Sequence, residues 1–185
     1  QAFESWYAHI PGLKVVMPAT PADAKGLLKS AIRDEDPVVF IEGEMLYNVK
    51  GEVPEGEHVV PLGRADIKRA GGDVTLICHS KSVSVALKAA ELLAAEGVQA
   101  EVVDLRTIRP LDVETVVGSV AKTHRAVVVE EGWSFAGVGA QVVDIIQREV
   151  FDELDAPVLR GTGADVRMAY NKHLETAAKA APPKV

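Results

Sequence analysis

The sequence predicts an α/β protein built mainly on a parallel sheet with helices on both faces, preceded by a shorter α/β segment. Three observations carry this. The aliphatic runs VTLIC, AEVVDL, RAVVVEE and APVLRG read as strands apolar on both sides, as in a covered parallel sheet. Between them, apolar residues recur at helical spacing, which gives the strand–helix alternation of a right-handed crossover fold. Residues 43–63 hold four glycines and two prolines with mixed charge and no period, so they read as a connector, with a boundary near Pro61.

Before that boundary, LKVVMP is a short strand stopped by Pro18. Thr20 is placed to N-cap a helix with Pro21 at its first position and Asp23 in its first turn. Ala24, Leu27, Leu28 and Ala31 form its expected buried face, and after the acidic turn DED, Pro37 leads into the strand VVFIE. Beyond the boundary, Asp73–Cys78 is the first strand. Val83, Ala86, Leu87, Ala90, Leu93 and Ala94 mark a helix closed by Gly97. Asp112 caps a helix with inner residues Val113, Val116, Val117 and Val120. A last helix after Gly137–Gly139 buries Val138, Val142, Ile145 and Ile146.

Composition narrows the function. With 185 residues, 48% of them hydrophobic, the chain has ample material for a core. The net charge of −7 and the lack of a basic cluster argue against a nucleic-acid partner. No apolar run approaches the ~20 residues that span a bilayer, so no membrane partner is expected, and no secretory signal is recognisable. Cys78, inside an apolar run, reads as a buried structural thiol.

Several motifs have simpler structural readings. The turn after the first main strand, HSKSVSV, lacks a dinucleotide fingerprint, so Ser80 or Ser82 is expected to cap the next helix. The GVG at Gly137 precedes a helix whose N-terminus suits an anion, but it has no third glycine. Ser80, Asp104 and His124 compose a triad only on paper, without a nucleophile elbow. The five histidines show no zinc spacing. At the end of the first helix, the free carbonyls of Ala31 and Ile32 are followed by Asp34, Glu35 and Asp36. Oxygen ligands around a helix end suit a hard cation, although composition alone favours a solvated turn with Arg33 as partner.

The strings WYAHIPGLKVVMP, DAKGLLKSAIRDEDPVVFIE, LYNVKGEVPE, VVDLRTIRPLD, VVVEEGW and LDAPVLRGTGADV, in this order, resemble the β subunits of thiamine-diphosphate-dependent 2-oxoacid dehydrogenases. EGEMLYN is most similar to the pyruvate dehydrogenase branch; branched-chain 2-oxoacid or acetoin dehydrogenase β subunits, or a non-catalytic dimerisation or docking module, are the alternatives. The resemblance implies that residues 1–60 are the C-terminal part of a pyrimidine-binding domain and 61–185 a transketolase C-terminal domain. It implies a potassium site at Ala31, Ile32, Asp34 and Asp36, held largely by backbone carbonyls, and thiamine diphosphate and magnesium bound mainly outside these residues. It also implies three partners: an α subunit, a second β subunit in an α2β2 heterotetramer, and a dihydrolipoyl acyltransferase core. The family's catalytic glutamate and histidine would lie upstream of Gln1, so this stretch alone is expected to be inactive and to associate with itself or a partner. His9 is then a packing or hydrogen-bonding residue. Arg167 and Ala169 stand where related chains usually have prolines. The compartment implied is bacterial cytoplasm, mitochondrial matrix or plastid.

Overall fold

The computed structural model describes residues 2–179. The first elements are helix α1 (Glu4–Ala8), strand β1 (Lys14–Val16), helix α2 (Pro21–Arg33) and strand β2 (Val38–Phe40). Thr20 caps α2 as its sequence position requires: its side chain accepts from the Asp23 amide at 3.1 Å. The connector holds only a 3-10 turn, Glu44–Asn48. Then follow β3 (Asp66–Arg69), β4 (Val74–Cys78), α3 (Ser82–Ala95), β5 (Ala100–Asp104), β6 (Thr107–Arg109), α4 (Val113–Thr123), β7 (Ala126–Trp133), α5 (Val138–Glu149), β8 (Leu159–Gly163) and α6 (Lys172–Ala178).

Five strands form the main sheet in the order β3-β5-β4-β7-β8, with β5, β4, β7 and β8 mutually parallel. The exception is β3, which runs antiparallel on β5. Asp-Ile-Lys-Arg has a single apolar residue, so no periodicity marks it; its charges suit the sheet edge it occupies. A second sheet runs β2-β1-β6, with β1 parallel to β2 and antiparallel to β6. Strand β6 comes from the stretch after β5, so residues on either side of the expected boundary share one sheet.

Strand alternation divides the core. Leu76 and Cys78 face α3, meeting Val83, Ala86, Ala89 and Ala90. Ile77 turns to the opposite face, where α4 and α5 bring Val116, Val120, Val142 and Ile146. The small sheet splits likewise: Val15 joins the main core, while Val16 packs on Leu27 and Val60. Among the described residues no helix is long and apolar enough to cross a membrane.

Two helical faces differ from their expected form. On α2, Leu28 is exposed and the buried side is Asp23, Gly26 and Leu27, because His58 and Val60 press onto Gly26 and Asp23 turns to cationic partners. On α4, Val113 lies outward, while Ser119 and Thr123 are buried. Their hydroxyls meet Thr75 Oγ1 at 2.8 and 2.7 Å, and Ser119 donates to the buried Glu101 at 2.6 Å. A polar patch is stable there because each group has a partner. The inner face of α5 is the one expected, with Val138, Val142, Ile145 and Ile146 all buried. Gly97 closes α3 with φ +87°, and Asp112 caps α4 by accepting from the Thr115 amide at 3.1 Å.

Ile146 is fully buried between α5 and the sheet. Ile146→Ala should lower the unfolding free energy by about 3 kcal/mol, from lost burial plus a residual cavity. Urea unfolding measures it, and a loss below ~1 kcal/mol would contradict this packing.

Candidate functional site

In parallel α/β sheets, ligands gather at the carboxyl ends of the strands. Here that edge carries His79 after β4, Asp104 ending β5 and Glu130 within β7. His79 is buried, with Nε2 3.5 Å from Oε1 of the equally buried Glu4 on α1. Neither Ser80 nor Ser82 caps α3: its N-cap is Lys81, without a side-chain bond. Instead the Ser82 hydroxyl donates to the His79 carbonyl at 2.6 Å and accepts from the His79 amide, tightening the turn. Ser80 sits at φ +49°.

The paper triad is absent. Ser80 and Asp104 lie at the carboxyl edge, but His124 precedes Ala126, which pairs with Thr75 near the start of β4. His124 is therefore at the opposite edge, with Nδ1 2.8 Å from the Glu153 carbonyl. Cys78 is fully buried and its thiol donates to Val103 O at 3.4 Å; burial, then the nearby Asp104, pushes its pKa up. That is an inert structural thiol. His9, expected to pack or hydrogen-bond, is exposed at the end of α1 and opens onto a cavity of about 510 Å³ between α1, β6 and the start of α5.

The glycines of GVG serve a buried carboxylate rather than a dinucleotide. Glu130 is 1% exposed; its Oε1 accepts from Arg160 at 2.5 Å and its Oε2 from the Gly139 amide at 3.1 Å. A Cβ at Gly137 or Gly139 would stand 2.7 or 2.5 Å from those oxygens. Glu130 thus takes the place an anion would occupy at the start of α5. The sequence signal is the pair of glycines following the run RAVVVEE, which as a ligand motif lacks a third glycine. Glu130→Ala should cost about 3–5 kcal/mol in urea unfolding, because Arg160 loses its charge partner in a partly buried setting. A change within ~1 kcal/mol would mean that the pair does not organise this end of the sheet.

The acidic turn has a different geometry from either reading of it. Arg33 turns away to Glu57 at 2.5 Å, and Arg33, then Lys29, hold the Glu57 carboxyl at about 2. The cation at the turn is Lys14 of β1. Its Nζ lies 2.7 and 2.8 Å from the two oxygens of Asp34 and 3.0 Å from Asp36. Asp34 Oδ1 also accepts from the Asp36 amide at 2.9 Å, and these contacts, Lys14 first, lower its pKa. The carboxylates are therefore committed to an ammonium. The carbonyls of Ala31 and Ile32 receive no hydrogen bond among the described residues. Nor does any group of His, Cys, Asp and Glu suit a metal ion among them. The groups left open at this turn are thus neutral carbonyls.

Comparison with known proteins places this architecture. Residues 63–185 match the transketolase C-terminal domain and residues 1–50 the transketolase pyrimidine binding domain. The chain is 51% identical over 182 residues to the mitochondrial pyruvate dehydrogenase E1 component subunit beta of Dictyostelium discoideum, covering 96% of this chain and 51% of that protein. The Caenorhabditis elegans counterpart is 53% identical over 183 residues, covering 96% and 52%. A bacterial one, from Rhizobium meliloti (strain 1021), is 51% identical over 176 residues, covering 95% and 38%. The chain spans about half the length of these relatives or less. Among solved structures, a split gene transketolase described as an inactive beta4 tetramer superposes with a TM-score of 0.80 at 27% identity, covering 98% of this chain and 57% of that one. The two-sheet architecture, the match over most of the chain and the β-subunit relatives agree, and the chain belongs to the transketolase C-terminal domain family.

Proposed function

We propose that this chain is part of the β subunit of pyruvate dehydrogenase, which decarboxylates pyruvate oxidatively on thiamine diphosphate and passes the acetyl group to lipoyl groups. The observation that carries it is identity above 50% to pyruvate dehydrogenase β subunits over nearly the whole chain, in both animal and bacterial relatives. Residues 1–60 are the end of the pyrimidine-binding domain and 61–185 the C-terminal domain. Partners are an α subunit, a second β subunit and the acyltransferase core, in a bacterial cytoplasm, a mitochondrial matrix or a plastid.

Thiamine diphosphate, when bound, supplies the carbanion-stabilising chemistry of decarboxylation. No described residue is assigned to it or to magnesium. The residues here contribute the scaffold, the subunit surface and a potassium site. The end of α2 fits potassium: the Ala31 and Ile32 carbonyls lack donors, and the helix dipole favours positive charge there. Asp34 and Asp36 shape the turn, adding their backbone oxygens while Lys14 holds their carboxylates. Weak, neutral ligands at a helix end suit a large monovalent ion better than octahedral magnesium.

The complete reading frame co-expressed with an α subunit should acetylate a lipoyl domain from pyruvate at least ~10-fold faster, in kcat/KM, than it acts on a branched-chain 2-oxoacid or acetoin, a difference of about 1.4 kcal/mol. Preference for another substrate by that margin would move the protein to that branch. Thermal unfolding of the same complex should show a higher midpoint in potassium than in tetramethylammonium at equal ionic strength. Equal midpoints would remove the ion from Ala31 and Ile32.

A further inference from the structure

The two sheets meet along a seam at which ionisable groups from four elements converge, Asp23 and Asp104 out of water and Asp66 at its rim. Asp23 comes from α2 and is 2% exposed; Asp104 ends β5 and is 0% exposed. Asp66 and Lys68 come from β3, and Arg106 from the loop after β5. Lys68 Nζ lies 2.7 Å from Asp23, 2.7 Å from Asp66 and 3.7 Å from Asp104. Arg106 reaches Asp23 at 2.7 Å and Asp66 at 2.9 Å. Cys78 of β4 is the strand partner of Asp104 on its other side.

The pairing is incomplete at one point. Asp104 Oδ1 accepts from the Arg106 amide at 3.1 Å, but its Oδ2 is buried without a hydrogen bond, its nearest cation being Lys68 at 3.7 Å. Both strong contacts of Lys68, and both side-chain contacts of Arg106, go to Asp23 and Asp66. Three carboxylates against two cations leave one negative charge, and it falls on Asp104. A buried carboxylate with an orphan oxygen is costly, and binding a proton, a cation or a water would relieve it. The described residues hold no metal-type cluster, and a proton alone removes the charge, the costliest part of that burial.

We propose that Asp104 is the proton site of a catch between the two sheets: protonated, the five side chains balance and α2 stays clamped on β3 and the end of β5; deprotonated, the uncompensated charge loosens that contact. In line with that geometry, burial pushes the Asp104 carboxyl up to about 6, with Asp23 adding to the rise and Lys68 and Arg106 opposing it. The sign follows by linkage. A carboxyl raised from an ordinary value of 3.8 gives stability that is fully present below pH 3.8 and lost as pH climbs through about 6.

Because the buried Glu4–His79 pair also crosses the seam, the wild-type pH curve alone is not diagnostic, and the difference from Asp104→Asn is what reports on the catch. Asparagine keeps the shape without the charge. At pH 7.5 its unfolding constant in urea should be on the order of a hundredfold smaller than wild type, and the two should converge below pH ~4. Hydrogen exchange, corrected for intrinsic rates, should show α2 amides opening more at pH 7.5 than at pH 5 in wild type but not in the variant. A gain independent of pH, no gain, or an α2 that opens identically in both proteins overturns the proposal. If the variant fails to fold, carbon-detected titration of the wild-type Asp104 carboxyl decides: a midpoint near 6 supports the catch, and one near 4 overturns it.

Discussion

Asp23 occupies the first turn of α2, where unpaired helix amides favour a carboxylate, and the Thr20 hydroxyl donates to it at 2.6 Å. Its oxygens are nonetheless directed to Lys68 and Arg106, both beyond the connector that follows β2. That choice orients the helix. With Asp23 turned to the seam, Leu27 lies on Val16 and Val60, Gly26 meets the chain at His58 and Val60, and Leu28 is left outside. It also positions β6, because Arg106 enters the cluster just before the strand that pairs with β1, and the Arg106 carbonyl accepts from the Met17 amide at 2.8 Å. Charge and strand pairing hold the same junction.

The carboxyl edge follows a similar rule. Helix N-termini and strand ends make an electropositive rim, and in many α/β proteins a ligand anion fills it. Here the protein fills it with its own carboxylates. Glu130 sits under α5 with Arg160 as counterion, and the two glycines keep Cβ atoms out of its way. Glu4 approaches His79 from the neighbouring segment. These contacts tie α1, β4, β7 and α5 together, so the edge acts as a joint between parts, beside the cavity onto which His9 opens.

How much of this was legible in the sequence depended on whether a residue's role was local. Runs such as VTLIC and the spacing of Val138, Val142, Ile145 and Ile146 state their own burial, and the caps at Thr20 and Asp112 need only the next three residues. Strands β3 and β6 are short, charged or proline-bounded, and they exist because β5 and β1 offer them partners, which no local pattern records. The same is true of Ser119 and Thr123, polar residues made internal by Thr75 and Glu101 from other strands. At the candidate site, the string of acidic residues was visible while its partner was not: Lys14 is twenty positions from Asp34.

That partner changes the chemistry of the helix end. Three acidic residues in a row suggest a strong-field site for a small, highly charged ion, since carboxylates are its preferred ligands. Lys14 removes that option by occupying both oxygens of Asp34 and one of Asp36. What remains is the oxygen set of the backbone, at the negative end of a helix dipole and without donors of its own. Such a set offers a weak field at several points in place of a strong one at a few. The ammonium thus does more than neutralise an acidic turn, because by holding the carboxylates it leaves the carbonyls of Ala31 and Ile32 as the groups that any bound ion would meet.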